Sequence, residues 1–525
     1  MASPADISLK LPLPYTDSIE IRNFIGGKWY APSSNSYFDN YSPSTGKVIS
    51  QIPDSNAADV DLAVQAATDA FPRWSALSTQ QRAAHIHKLA DLIEENLETM
   101  AQFETMDQGK TLTMSRNVDI ARTATNFRYY ANYVLGNPTE PSSVSTYIKP
   151  FNSAEGLPIS AQALSYTNRS PVGVAGLISP WNLPLYLLSW KIAPCIAAGN
   201  TCVCKPSEFT SITAMMLTRL VKQAGIPDGV INIVFGLGSS VGNSLVTHPK
   251  VPLISFTGGT ITGKKIAAAA APMFKHISLE LGGKNPALIF DDANLDECIP
   301  TTVRGSFQNQ GEICLCSSRI YVQRSIYDEF VARFKDYIRN NVIVGDPTDQ
   351  NSFYGALVSK PHFEKVQSVV QKAQSEGAHV EFCVDLSVST HIKSIGKNGS
   401  LQVSGLEDGY FMAPTVITDV DQSSTVVQEE IFGPVVVILP FDTEQEAIHL
   451  ANDVVYGLAA TVWSLDQAKL RRVSSQIVAG TVWCNCWMVR NLDMPFGGFK
   501  ASGVGTEGGG YSIDFFTKKQ TVCLG

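Results

Sequence analysis

The sequence predicts a doubly wound α/β protein of two or three domains, on three observations. A chain of 525 residues is too long for one simple core. From Pro171 onward, short apolar runs alternate with segments of helical character, the texture of a parallel sheet with crossover helices. One of those runs ends at Phe235 and passes directly into the glycine-rich turn Gly236-Leu237-Gly238-Ser239-Ser240-Val241-Gly242.

The elements follow in order. Residues 58–110 read as helices. Ser78 with Gln81 three positions on forms a capping box, and Leu89, Leu92, Ile93 and Leu97 share one face at helical spacing. Val172 to Ser179 is a strand, Leu187 to Ala198 a helix, Thr201 to Lys205 a strand, Thr213 to Ala224 a helix and Val230 to Phe235 a strand. A second alternating region runs from about Ala287 to Pro440. It holds strands at Arg319 to Gln323 and Val435 to Leu439, and helices at Ile326 to Asn340 and Pro361 to Glu376. Residues 384–408, rich in Ser, Gly, Lys and Asp, read as a surface loop or hairpin. No internal repeat or low-complexity linker occurs, so the domains are expected to be interleaved.

Composition narrows the function. Hydrophobic residues make up 44% and charged residues 17%, as in a packed globular protein. The net charge of −8, with no run of basic residues, argues against nucleic acid, whose phosphates need clustered Lys and Arg. No apolar stretch approaches the roughly 18 residues of a membrane span. Met1 to Pro14 lacks the pattern of a signal or transit peptide, and a cytoplasmic protein is expected. Ten cysteines are too sparse for a disulfide scaffold. Cys202/Cys204, Cys314/Cys316 and Cys484/Cys486 are C-x-C pairs without His partners at metal-site spacing, so no metal is expected; reduced thiols on buried strands are the simpler reading.

The turn at Gly236, Gly238 and Gly242 is one residue longer than the usual dinucleotide fingerprint. Its glycines let a backbone approach a pyrophosphate ahead of a helix N-terminus, although glycine-rich turns between strand and helix are common. The acidic residue that normally follows is replaced by Phe256.

The chemistry-bearing residues lie further on. Asn309-Gln310-Gly311-Glu312-Ile313-Cys314-Leu315-Cys316 offers a thiol beside a glycine turn. Leu279-Glu280-Leu281-Gly282-Gly283-Lys284, with Glu280 thirty-four residues before Cys314, offers a carboxylate in a glycine-rich turn after a short strand. A thiol nucleophile and a separate carboxylate base are the minimum equipment for covalent acyl chemistry. Taken alone, Cys314 would more often be an inert buried thiol and Glu280 a turn residue. Cys316 is the alternative nucleophile, on the same face if the segment is a strand.

These two segments resemble the active-site pair of the aldehyde dehydrogenase superfamily. The resemblance extends over about residues 24 to 520 and includes Pro495-Phe496-Gly497-Gly498-Phe499-Lys500-x-Ser502-Gly503. It implies an aldehyde dehydrogenase-like fold: a Rossmann-type NAD-binding domain (1–140 and 169–279), an α/β catalytic domain (280–489), and a small β oligomerisation element (141–168 and 490–525). It implies NAD-dependent oxidation of an aldehyde to an acid, with Cys314 as nucleophile and Glu280 as base for the hydrolytic water. Asn182 would be the oxyanion donor together with the Cys314 N–H, and Lys191 a helper in proton movement. The matching cofactor positions are Ser179, Pro180, Trp181, Lys205, Ser207, Glu208, Gly236, Gly238, Gly242, Phe256, Thr257, Gly258, Gly259, Leu281, Glu430 and Phe432. An acid at Glu208 would bond a ribose 2′-hydroxyl and repel a 2′-phosphate, favouring NAD over NADP. Gly259 departs from the family's usual Ser and removes one hydroxyl contact.

Longer matching stretches, among them Val172 to Ala193, Ala293 to Pro300 and Trp483 to Trp487, resemble the members that oxidise 2-aminomuconic and 2-hydroxymuconic semialdehydes. In that group two arginines grip the substrate carboxylate, here Arg122 and Arg490, as a planar guanidinium suits a planar anion. Ala121 stands where the group usually has Pro. A neutral aliphatic, aromatic or polyene aldehyde in a pocket lined by Tyr186, Trp190 and Trp487 is the alternative, and a non-catalytic member the distant one. The superfamily is typically dimeric or tetrameric, and strand-compatible segments at Tyr147 to Asn168 and Ser512 to Cys523 suit pairing between subunits.

Overall fold

The computed structural model describes residues 19–137, 144–147, 163–386 and 391–524. Two large sheets organise it. The first has eight strands, in the order Gly503–Val504, His276–Glu280, Leu253–Thr257, Val174–Ile178, Thr201–Lys205, Ile231–Ile233, Asn23–Ile25, Lys28–Tyr30. The middle five, from His276–Glu280 to Ile231–Ile233, run parallel. Chain order within them starts at Val174–Ile178, steps outward to one side, then returns to the other side through Leu253–Thr257. The reversal between these two neighbours leaves a crevice at their C-terminal ends, where such sheets bind ligands.

Strand composition explains the layering. Ala175, Leu177, Cys202, Cys204, Ile231 and Ile233 face one helical layer, while Val174, Ile178, Val203, Ile254 and Phe256 face the other. With both faces covered, these strands read as unbroken apolar runs. The helices before the sheet are Ala57–Ser75, Thr79–Glu95 and Leu97–Gln108. The Ser78 hydroxyl accepts from Gln81 N and the Gln81 side chain accepts from Ser78 N, the capping box expected there. The next helices, Pro184–Ala197 and Ile212–Gln223, each begin close to their expected starts.

The second sheet has seven strands, ordered His379–Phe382, Thr415–Thr418, Val435–Phe441, Ser317–Gln323, Asn285–Ile289, Ala459–Trp463, Thr481–Cys484. All but the edge strand His379–Phe382 are parallel. Helices Leu295–Phe307, Tyr327–Asn341 and Lys360–Ser375 cover it. Within the polar stretch 384–408, Ile392–Ile395 pairs with Leu401–Val403 as a hairpin; residues 387–390 lie outside the described chain.

A third, antiparallel sheet joins Val144–Tyr147, Ala163–Pro171 and the tail strand Thr517–Leu524. The expected pairing segments therefore meet within one chain, though most of 141–162 lies outside the described residues. The tail has a second attachment: Gly503–Val504 pairs with Leu279 and Glu280 at the edge of the first sheet. Among the described residues no helix is long and apolar enough to cross a membrane.

Candidate active site

Glu280 is the last residue of the strand His276–Glu280, and five residues later the chain enters the second sheet at Asn285. The carboxylate sits where the two sheets are joined. It is buried, and neither oxygen has a hydrogen-bond partner. Burial pushes its pKa well above the usual carboxylate range, the negative Glu507 adds to the rise, and Lys191 and Arg490 oppose it. An unpaired buried carboxyl is costly unless the site uses it.

Cys314 follows the helix Leu295–Phe307 through a strained turn. Asn309, Gln310 and Gly311 all have positive φ (54°, 59° and 73°). A Cβ at Gly311 would lie 2.2 Å from the Gly433 carbonyl oxygen, so glycine is required there. The Gln310 amide donates to Ala356 O at 3.1 Å, and the Asn309 amide donates to Asn182 O at 3.1 Å. Such strain persists only where surrounding contacts over-determine it. Cys314 and Cys316 both lie in this turn before the strand Ser317–Gln323, not on a strand, so the shared-face expectation for the pair does not hold. Cys314 is half-buried and Cys316 buried. Burial raises the Cys314 pKa, and Glu430, Glu280 and Cys316 push the same way while Arg490 opposes them.

Asn182 lies in the turn before the helix Pro184–Ala197. Its Nδ2 donates to Glu312 O at 2.8 Å, and its carbonyl accepts from Lys110 Nζ at 2.7 Å. The same helix buries Trp190 and Lys191. Both point at one carboxylate: Trp190 Nε1 donates to Glu507 Oε2 at 2.6 Å and Lys191 Nζ to Glu507 Oε1 at 3.2 Å. Ser255 and Ser278 hydroxyls also donate to Glu507 Oε1, each at 3.3 Å. Glu507 was not expected from sequence. Its one signal is that it is the sole acid in the glycine-rich run Gly503 to Gly510.

The crevice between Val174–Ile178 and Leu253–Thr257 opens into a cavity of about 610 Å³. Ser179, Pro180, Trp181, Lys205, Ser207, Glu208, Gly238, Gly242, Phe256, Thr257, Gly258 and Gly259 all line it. Lys205 Nζ pairs with Glu208 at 2.7 Å, and that contact holds the Glu208 pKa below its ordinary value despite burial. A Cβ at Gly238 or Gly259 would meet nothing within 4 Å, so backbone is open to a ligand at both turns. The helix Thr260–Ala270 begins at Gly259 without a side-chain cap, leaving N–H groups free for an anion. This donor set fits a dinucleotide. Gly236 is not on the cavity wall; a Cβ there would clash with Val241 at 2.7 Å, so it shapes the turn.

Leu281, Glu430 and Phe432 stand outside that lining. Leu281 packs on Gly263 at the start of the Thr260–Ala270 helix. Glu430 Oε1 accepts from Gly283 N at 2.9 Å. Phe432 adopts φ 63° and meets Trp181 edge-on at 5.2 Å. His362, also not expected, bonds Phe432 O at 2.6 Å.

Around Cys314 the wall is apolar: Leu183, Tyr186, Ile313, Leu315, Leu458, Trp483 and Trp487, with Phe496 packed against them. Trp487 Nε1 donates to Leu315 O at 3.0 Å. Two guanidinium groups break this wall. Arg122 lies 5.8 Å from the Tyr186 ring; Arg490 lies 3.8 Å from Phe496 and 5.1 Å from Trp190. Arg122 Nε and Arg490 Nε and Nη2 are buried donors without partners. Among the described residues no cluster of His, Cys, Asp or Glu is arranged to hold a metal ion.

Comparison with known proteins agrees with this geometry. Residues 29–522 match the aldehyde dehydrogenase family. The 2-aminomuconic semialdehyde dehydrogenase of Mus musculus is 52% identical, over 96% of this chain and 98% of that protein. The 2-hydroxymuconic semialdehyde dehydrogenase of a Pseudomonas species is 40% identical, over 96% and 99%. The structure of the NAD+ complex of aldehyde dehydrogenase from Bacillus cereus superposes with a TM-score of 0.86 at 39% identity, covering 96% of each chain. The chain belongs to the aldehyde dehydrogenase family and is an NAD-dependent oxidoreductase that converts an aldehyde to a carboxylic acid.

Proposed function

We propose that the substrate is an aldehyde that also carries a carboxylate, of the 2-aminomuconic or 2-hydroxymuconic semialdehyde type, and that Arg122 and Arg490 hold that carboxylate. The observation that carries the reading is the set of unpartnered guanidinium donors beside an aromatic wall. A buried donor left without an acceptor costs about 1–3 kcal/mol, more when charged. A ligand carboxylate supplies the missing acceptors bidentately. The semialdehyde names of the two relatives support the same substrate class.

In this reading the Cys314 thiol, held protonated at rest by its buried surroundings, gives its proton to solvent water as its sulfur attacks the aldehyde carbon. Asn182 Nδ2 and the Cys314 N–H receive the oxygen as its negative charge develops. NAD held in the cavity lined by Lys205, Glu208 and Gly238 would supply the hydride acceptor. Glu280, buried and unpaired, takes a proton from the water that releases the acid from Cys314. Lys191 and Glu507 form a buried ion pair behind Glu280, through which a proton can leave the base. Glu208 selects NAD, because its charge opposes a 2′-phosphate. Tyr186, Trp190 and Trp487 confine the chain of the substrate. A cytoplasmic homodimer or homotetramer completes the proposal, with the Thr517–Leu524 strand offering an edge to a second copy.

The test is NADH production from a panel: a muconic-type semialdehyde acid, a neutral aliphatic aldehyde and an aromatic or polyene aldehyde. Clear preference for the acid supports the clamp. Preference for a neutral aldehyde removes the substrate assignment and leaves the chemistry.

A further inference from the structure

Lys110 carries an ammonium group that is fully buried, on the turn after the helix Leu97–Gln108. Its Nζ donates to the Asp119 carboxylate and, at 2.7 Å, to the Asn182 main-chain oxygen. Asp119 is equally buried, and its second oxygen has no partner. A pair like this is weak evidence for stability, since apolar side chains of similar volume often stabilise as well or better. Its two attachments point elsewhere.

Asp119 lies within a π-helical turn, Ser115–Ile120, that leads into the helix Ala121–Gly136. Single π turns recur at functional sites because the extra residue re-aims the side chains that follow. Arg122 stands three positions after Asp119, one turn on, and Thr123 Oγ1 donates back to Asp119 O at 2.8 Å. Asn182 lies two residues before the helix that carries Tyr186, the ring beside the Arg122 guanidinium. Further along, Asn126 Nδ2 donates to Tyr186 O at 3.2 Å and binds the two helices together again.

We propose that Lys110 is a positioning residue that aligns both ends of the substrate: clamped between Asp119 and the Asn182 carbonyl, it fixes the span between the residue that receives the aldehyde oxygen and the helical turn that aims Arg122. The claim rests on the reading that Arg122 takes the substrate carboxylate. A substrate with an aldehyde at one end and a carboxylate at the other feels this span. A neutral aldehyde feels only the Asn182 end.

The test compares Asp119→Asn, Lys110→Met and the double variant Lys110→Met/Asp119→Leu, with Arg122→Met as the benchmark. Each is assayed on a semialdehyde acid and on a neutral aldehyde. Asp119→Asn keeps the bond from Lys110 to Asn182. It should raise KM for the acid about tenfold with kcat within about twofold, and leave the neutral aldehyde unchanged. Lys110→Met should also lower kcat for both substrates about tenfold, through Asn182. If a single variant fails to fold because one buried charge remains, the double variant removes both charges. It should melt at or above the wild-type temperature, keep KM for NAD and still show the raised KM for the acid. A folded double variant with wild-type KM and kcat for the acid overturns the proposal. Should Arg122→Met itself leave KM for the acid unchanged, the carboxylate reading fails. The two-ended positioning claim falls with it, and unchanged neutral-aldehyde turnover in Lys110→Met would overturn the Asn182 end as well.

Discussion

The Asn182 side chain donates to the Glu312 carbonyl oxygen at 2.8 Å, two residues before Cys314. The amide proposed to receive the oxyanion is thus bonded to the loop that carries Cys314, the proposed nucleophile. The same loop answers through Asn309, which donates to the Asn182 carbonyl. Two hydrogen bonds tie Asn182 to the Cys314 loop, as preorganised stabilisation of developing charge would require of the proposed donor and nucleophile.

Removing that amide separates positioning from binding. Asn182→Ala is expected to lower kcat by about 10²–10³. KM for NAD should stay within about twofold, since Asn182 does not line the dinucleotide cavity. Steady-state NADH formation at saturating NAD checks both numbers.

As the proposed base, Glu280 is expected to set the pH dependence of acid release. Its pKa is raised by burial first and by Glu507 second, so at low pH it holds a proton and cannot act as a base. Turnover in the wild type should rise as pH rises through that elevated value. Glu280→Gln should remove this rise and stall the enzyme after the first hydride transfer, giving a burst of NADH near one equivalent per site. Stopped-flow absorbance reads the burst; a linear trace without one would remove Glu280 from the hydrolytic step.

Gly259 leaves a gap that a hydroxyl can fill. Nothing lies within 4 Å of a Cβ there, φ is −68° and the helix behind it is uncapped. Gly259→Ser is expected to fold normally and to lower KM for NAD by roughly two- to tenfold, the range of one hydrogen bond. A raised KM for NAD would show that the open backbone matters more than the missing hydroxyl.

Buried carboxyls away from the chemistry set a stability trend. Glu104 accepts from Leu185 N at 3.1 Å and from the Thr213 hydroxyl, and its pKa is pushed up to about 8, mostly by burial and next by Asp119. Between 4.5 and about 8 the folded chain keeps a proton that the unfolded chain has released. Stability from this group is full at the low end of the window and is lost as pH rises through it. Glu104→Gln is neutral in both states, so its melting temperature should fall less from pH 5 to pH 8 than that of the wild type. Calorimetry at the two values decides; parallel falls would count against the shift.

Local chemistry made much of this legible in sequence. The capping box at Ser78 and Gln81 and the apolar runs at Val174–Ile178 and Thr201–Lys205 are short-range signals, and each sits close to where it was read. The glycine-rich turn after Ile231–Ile233 lies on the wall of a cavity at the sheet's reversal point, as parallel strands and turn glycines lead one to expect. Glu507 was not legible. Its partners Trp190, Ser255 and Ser278 lie 229 to 317 residues away and meet it only because the tail returns to the edge of the first sheet. The path of the Cys314–Cys316 segment was only partly legible for a related reason: the glycine turn is visible in sequence, but the three left-handed residues ahead of Cys314 are enforced by contacts from Ala356, Asn182 and Gly433.

The central claim is that Arg122 and Arg490 recognise a carboxylate on the aldehyde. The most direct measurement is kcat/KM for a muconic-type semialdehyde acid and for its methyl ester, in the wild type and in Arg122→Met and Arg490→Met. The account predicts that the wild type favours the acid by about 100-fold or more, and that each substitution removes at least about tenfold of that preference by raising KM for the acid alone. Equal kcat/KM for acid and ester in the wild type, or a preference that survives both substitutions, would contradict it.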